Sequence, residues 1–131
     1  MSKPKVFIVD DDPFFVKLLE NELDSEKLIP YRTYLSGEEC LENMHLKPKL
    51  VLLDFTLGGL NGLDVLRRIK QDYPRTDVVM LTSIEDEVVR QKCLEAGAIN
   101  YIVKDPDGIG RLHLEVIPKY KGSGLFSFFR N

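Results

Sequence analysis

Tryptophan is absent from the chain, and cysteine occurs only twice, as Cys40 and Cys93. The two thiols stand far apart with no CxxC pair beside them, which argues against a disulfide framework or a zinc site. Each reads as a small buried residue in a helix. Such sparse cysteine use suits a reducing compartment, and a cytoplasmic protein is expected. Long apolar runs are lacking as well. No basic start leads into an apolar stretch, and nothing approaches the roughly 20 residues that a membrane-spanning helix requires, so neither export nor membrane insertion is expected. The third absence is an excess of positive charge: 18 Lys and Arg stand against 21 Asp and Glu, a net charge of −3. Direct nucleic-acid binding depends on phosphate neutralisation by clustered cations and is therefore not expected. What the chain does have is 131 residues, 44% of them apolar and 30% charged, the size and balance of one domain with its own core.

Short apolar runs alternate with helical spacings along the whole chain. KVFIV (5–9) reads as a strand that stops at Asp10, Asp11 and Asp12; Asp12 then suits a helix N-cap with Pro13 at the first helical position, and the helix should run to about Asp24. LIPYRTYL (28–35) reads as an edge strand because Pro30 cannot donate to a ladder. Ser36 and Glu39 form an S-x-x-E capping box for a helix carrying Cys40, Leu41 and Met44, which ends before Lys47-Pro48. LVLLD (50–54) is a strand buried on both faces, and Leu63, Leu66, Ile69 and Tyr73 mark a helix that stops before Pro74. VVML (78–81) is a further strand ending at Thr82. Ser83 with Asp86 should cap the next helix, whose inward residues are Val89, Cys93 and Ala96 and whose stop is Gly97. The fifth strand, 99–103, ends at Lys104, and a fifth helix through Ile109, Leu112 and Val116 should end or kink at Pro118. This alternation predicts an α/β, doubly wound (βα)5 fold: a parallel five-stranded sheet of order 2-1-3-4-5 with helices on both faces. Residues 1–118 form the expected domain. Residues 119–131, with a Phe126, Phe128, Phe129 cluster, read as a tail or the start of a downstream region.

The chemistry falls at one edge. The strands end in Asp10-Asp11-Asp12, Asp54, Thr82 and Lys104, and ligands of such sheets bind beyond the carboxyl ends of the strands. Two carboxylates about 4 Å apart repel by roughly 4 kcal/mol at an effective dielectric near 20, so converging acids call for a hard divalent cation. Magnesium, which prefers oxygen ligands and serves phosphate chemistry, is the expected ion. Lys104 adds a point charge and Thr82 a hydroxyl, donors suited to phosphoryl oxygens. The reaction these groups point to is phosphoryl transfer to Asp54, governed by positioning and charge neutralisation. Asp12 reads as the helix cap rather than a ligand. His45 and His113 lie away from the acidic edge, so the chain is expected to receive phosphate rather than supply it.

VFIVDDDP, LVLLDFTLGGLNG, VVMLTS and EAGAINYIVK, in that order, resemble a bacterial response-regulator receiver domain over about residues 4 to 117. The resemblance implies that Asp54 is the phosphoacceptor, that Asp11 binds magnesium directly and Asp10 through water, and that Thr56 lends the metal a backbone carbonyl. It further implies that Thr82 and Lys104 contact the phosphoryl group, with Thr82 and Tyr101 as switch residues. Thr56 and Ile84 match positions that govern access of hydrolytic water. The partners it implies are a histidine kinase or a histidine phosphotransfer protein, together with an output partner or downstream effector domain. A phosphorylation-dependent dimer is also in the family's repertoire, and no activity beyond the chain's own phosphorylation and dephosphorylation is implied.

Three departures stand out. Gly58-Gly59 replaces the loop proline usual in that family, which predicts a more mobile loop. Asp105 follows Lys104 where a cis proline is usual, and a cis bond before another residue costs about 2.5–4 kcal/mol, so the sequence alone does not fix the aim of Lys104. The final helix contains Pro118, which weakens any inference about dimers through the fourth and fifth helices. Competing readings are an unphosphorylated interaction module, a haloacid-dehalogenase-like phosphatase with Asp10 and Asp12 as its D-x-D pair, and a flavodoxin-like cofactor binder.

Overall fold

Two four-residue strands, β1 (Val6–Val9) and β3 (Leu50–Leu53), are buried at every position, and such runs require cover on both faces of the sheet. The computed structural model describes residues 3–26 and 29–121 and supplies that cover. The remaining strands are β2 (Tyr31–Tyr34), β4 (Asp77–Thr82) and β5 (Asn100–Val103). All pairings are parallel and the order is β2-β1-β3-β4-β5, as the alternation predicts.

Side-chain alternation along the strands divides the interior into two cores. Val6, Ile8, Leu50, Leu52, Val79 and Leu81 pack with α1 (Pro13–Glu26) and with the segment following α5 (Pro106–Arg111). Phe7, Val9, Val51, Leu53, Val78 and Met80 pack with α2 (Gly37–Glu42), α3 (Gly62–Asp72) and α4 (Glu87–Glu95). Cys40 and Cys93 are free and lie buried in the second core, as expected of small apolar residues. Burial pushes the Cys40 thiol up to about 12, which keeps it protonated and unreactive.

Several boundaries differ from expectation for local reasons. Asp12 caps α1 as predicted, accepting from the Phe14 amide at 3.0 Å, but the helix runs to Glu26. β2 begins only at Tyr31: Pro30 precedes it and offers its carbonyl to the Lys5 amide at 2.7 Å; Leu28 lies outside the described residues. Ser36 caps α2 through the Glu39 amide at 3.1 Å. That helix is only six residues long, and Met44 belongs to a following 3₁₀ turn, Met44–Leu46. The cap of α4 is Asp86 alone, whose Oδ1 accepts from the Val88 and Val89 amides at 2.8 and 3.2 Å. The expected part for Ser83 is therefore corrected, because the helix starts at Glu87. Gly97 takes φ +111° just beyond the helix, as a glycine stop should. The final helix changes character before Pro118, which falls in the first turn of a separate 3₁₀ segment. The helix widens into a π turn, Leu112–Val116, and then tightens into a 3₁₀ turn, Ile117–Tyr120. A widened turn accommodates a proline that lacks the amide an α-helix would use. The Phe126, Phe128 and Phe129 cluster lies outside the described residues.

Candidate functional site

Each site residue sits where its strand stops. The Asp10 amide donates to the Tyr34 carbonyl at 3.1 Å and the Asp54 amide to that of Val9 at 3.0 Å. These bonds extend the β2-β1-β3 ladder one step and fix both carboxylates at the same edge. Thr82 closes β4, and the Lys104 amide donates to its carbonyl at 2.8 Å. Three of the side chains then make the same local bond, each accepting from the amide two residues ahead. Asp10 Oδ1 takes Asp12 N at 2.9 Å, Asp54 Oδ1 takes Thr56 N at 3.1 Å, and Thr82 Oγ1 takes Ile84 N at 3.3 Å. Turns of this kind hold a short polar side chain in one orientation.

Asp10 and Asp54 are only 2% and 6% exposed, so their charges need a partner. Lys104 provides one. Its Nζ lies 2.6 Å from Asp10 Oδ2 and 3.3 Å from Asp54 Oδ2, with 10% of the side chain exposed. The ammonium also stands 4.4 Å over the centre of the Phe15 ring, a cation–π contact beneath the salt bridges. Asp11 is exposed, and oxygens of Asp10, Asp11 and Asp54 all lie within 4.8 Å of one another. One ammonium against three carboxylates leaves the group two charges in excess, and at that separation each acid pair repels by roughly 3 kcal/mol at an effective dielectric of 20. Burial holds the Asp10 carboxyl above its ordinary value; the bond from Lys104 and that from the Asp12 amide oppose the shift without cancelling it. Three hard oxygen donors with one exposed side are the ligand chemistry of magnesium.

The Lys104-Asp105 step has a local explanation. None of the described peptide bonds is cis, yet Lys104 reaches both acids. Asp105 is the N-cap of α5, accepting from the Gly108 amide at 2.7 Å, with Pro106 at the first helical position. Tyr101 is buried and donates its Oη to the Ile84 carbonyl at 2.6 Å. Burial raises its phenol to about 12. Both expected switch residues therefore hold the backbone of Ile84, Thr82 through its amide and Tyr101 through its carbonyl.

Asp12 stays out of the cluster, so the D-x-D arrangement of a haloacid-dehalogenase-like phosphatase is not assembled. His45 lies against the Glu42 carbonyl at 3.1 Å and His113 against Glu22 at 2.8 Å. Sequence reasoning missed several supports. Asn61 caps α3 through the Asp64 amide at 3.0 Å, and the spacing N-G-L-D carries that signal. A Cβ on Gly62 would overlap the Asp54 carbonyl oxygen, so the helix can begin this close to the acid only with glycine. The Gly58-Gly59 loop is braced from α2, where Glu38 Oε2 accepts from the Leu60 amide at 3.3 Å while Gly59 takes φ +74°. Nothing in the local sequence announces that contact, or Phe15 beneath Lys104.

The family model described as response regulator receiver domain matches residues 6–115. The chain is 36% identical over 113 residues to the response regulator protein PilR of Pseudomonas aeruginosa, covering 86% of this chain and 25% of PilR. It is 33% identical over 104 residues to the phosphate regulon transcriptional regulatory protein PhoB of Rhizobium meliloti, covering 77% and 45%. Among solved structures, the BeF3-activated DrrB receiver domain superposes with a TM-score of 0.75 at 32% identity, covering 85% of this chain and 92% of that one. The receiver domain of a putative LuxO repressor from Vibrio parahaemolyticus gives 0.80 at 23% identity over 99% of both chains, a likeness of fold. The chain spans between 25% and 45% of the length of the PilR and PhoB relatives.

Proposed function

The chain belongs to the response regulator receiver domain family, and from that premise we propose that it accepts a phosphoryl group on Asp54 and turns the new charge into a change of surface around Thr82 and Tyr101. The observation that carries this reading is the pair of buried carboxylates on adjacent strands bridged by the Lys104 ammonium. Asp54 Oδ1 is tied to the Thr56 amide, whereas Oδ2 faces Lys104; Oδ2 is thus the oxygen oriented to attack. The new bond joins Oδ2 to phosphorus, the phosphorus–nitrogen bond of a phosphohistidine donor breaks, and the imidazole leaves with the electron pair. Asp10, Asp11 and Asp54, with the Thr56 carbonyl, would hold Mg²⁺. When bound, the ion supplies charge neutralisation for the phosphoryl oxygens. Lys104 donates to the same oxygens, and the Thr82 hydroxyl adds a neutral donor once it leaves the Ile84 amide. Because Tyr101 holds the other end of that residue, movement at Thr82 is felt at Tyr101.

The donor in this proposal is a histidine kinase or a histidine phosphotransfer protein, in the cytoplasm. The output is an effector domain or a separate partner, with a phosphorylation-dependent dimer as one form of it. Among the described residues no helix is long and apolar enough to cross a membrane. The domain proposed over residues 1–118 extends at least to Tyr120, as the burial of Ile117 and Tyr120 supports.

Incubation with Mg²⁺ and a small acyl phosphate, followed by intact mass measurement, tests the assignment. A phosphoryl-sized gain that disappears in Asp54→Asn is expected; an equal gain in the variant overturns it. No gain in either protein would favour an unphosphorylated interaction module.

A further inference from the structure

The net charge of −3 averages two unlike ends of the sheet. At the end opposite Asp54, two clefts of about 270 and 410 Å³ adjoin and share Lys49 and Arg75. The smaller is completed by Lys5, Lys119 and Lys121, the larger by Lys47 and the half-buried ring of Tyr73. Among the described residues Asp77 is the only acid lining either cleft, and its Oδ2 already accepts from the Tyr120 Oη at 2.6 Å. The side chains of Lys5, Lys47, Lys49, Arg75 and Lys119 make no ion pair or hydrogen bond among the described residues.

The backbone forces these cations together. The Lys49 amide donates to the Lys5 carbonyl at 2.8 Å, and because Val6 pairs with Leu50 in the β1–β3 register the two lysines are neighbours immediately before strands that lie about 4.8 Å apart. Like charges in that relation destabilise a sheet. Lys47 is held at φ 54°, a left-handed conformation that a lysine adopts at a cost. A concave surface on which Lys5, Lys47, Lys49, Arg75 and Lys119 repel one another without a partner among the described residues, and on which the Asp77 carboxylate is engaged, is built to take an anion.

We propose that this edge binds an oligophosphate, a short chain of closely spaced phosphates. The cations are spread over two adjoining clefts rather than gathered about one point, and charge-assisted bonds from successive cations match successive phosphates. Inorganic polyphosphate and a nucleoside triphosphate share that chemistry.

The test titrates the full chain, free of Mg²⁺ and at low salt, with tripolyphosphate and follows amide chemical shifts. Saturable binding is expected, with shifts at residues 5, 47–49, 75–77 and 119–121. Lys49→Glu and Arg75→Glu should each raise Kd by about tenfold, while both variants keep their labelling at Asp54. Equal binding of ATP assigns the site to the inorganic chain, and tighter binding assigns it to the nucleotide. The proposal is overturned by the absence of saturable binding, by binding indifferent to both charge reversals, or by shifts confined to the Asp10–Asp54–Lys104 edge. Tighter binding of a DNA duplex at equal phosphate concentration would also overturn it, in favour of a non-specific nucleic-acid surface.

Discussion

Asp10 contributes to the site at the expense of the fold. Its carboxyl is raised chiefly by burial, with the bonds from Lys104 and the Asp12 amide too weak to restore it. The folded state therefore holds the Asp10 proton more tightly than the unfolded chain does. Stability from this group is full below the ordinary carboxylate range and is lost as pH rises through the elevated folded value. Asp10→Asn, which removes the titration and keeps the shape, should raise the melting temperature of the metal-free protein at neutral pH while weakening phosphorylation of Asp54. Thermal unfolding as a function of pH checks this, and a variant melting below the parent at pH 7 would contradict it. Ile84 carries a second prediction at this scale. Its backbone is held by Thr82 and Tyr101, and its side chain is half-buried. Glutamate there would draw water towards an acyl phosphate on Asp54, so Ile84→Glu should shorten the phosphoprotein's lifetime several-fold, measured as loss of the added mass over time. Unchanged decay would remove Ile84 from any part in shielding the bond.

The elements show which features the sequence could announce. Strand ends were legible because β1 and β3 are apolar at every position and stop abruptly at acids, a pattern that only a buried parallel strand explains. From there the order of strands brings Asp10, Asp54, Thr82 and Lys104 to one edge. Contacts between elements left no such trace. Glu38 reaches Leu60 across 22 positions, Phe15 lies under Lys104 by tertiary packing, and the basic edge draws its cations from residues scattered between 5 and 121. Ser83 misled because two capping residues precede α4, and only the one adjacent to Glu87 can reach its first amides. Gly62 joins an element boundary to the chemistry. It is the first residue of α3, and its place against the Asp54 carbonyl leaves no room for a methyl group. Gly62→Ala must therefore push α3 away or displace Asp54, at a cost of about 1–3 kcal/mol typical of overpacking. Urea denaturation should record that loss, and phosphorylation of Asp54 should slow in the same variant. Full stability with normal labelling would mean that the loop yields without strain.

Across the whole molecule, three tyrosines close separate joints of the fold. Tyr31 Oη donates to Asp24 at 2.8 Å, linking β2 to α1, and Tyr101 Oη donates to Ile84, linking β5 to the β4–α4 loop. Tyr120 Oη donates to Asp77 at 2.6 Å and pins the last described turn to the start of β4. All three phenols are raised, Tyr31 and Tyr101 to about 12 and Tyr120 likewise upward, with burial the first cause in each case. For Tyr31 and Tyr120 the carboxylate that accepts the bond adds to the shift. The folded protein thus keeps these protons at a pH where the unfolded chain has lost them, so stability must fall as pH climbs from about 10 to about 12. Tyr120 is the most useful probe because it is well buried and its partner is charged. Tyr120→Phe should cost about 1.5–3 kcal/mol at neutral pH, the range for a hydrogen bond to a charged group. It should also make the alkaline decline shallower, since one raised phenol no longer contributes. Urea midpoints at pH 7 and at about pH 11 separate the two effects. A variant as stable as the parent at pH 7 would mean that the Asp77 bond does not secure the last turn, and an unchanged alkaline slope would mean that Tyr120 ionises alike in the folded and unfolded chains.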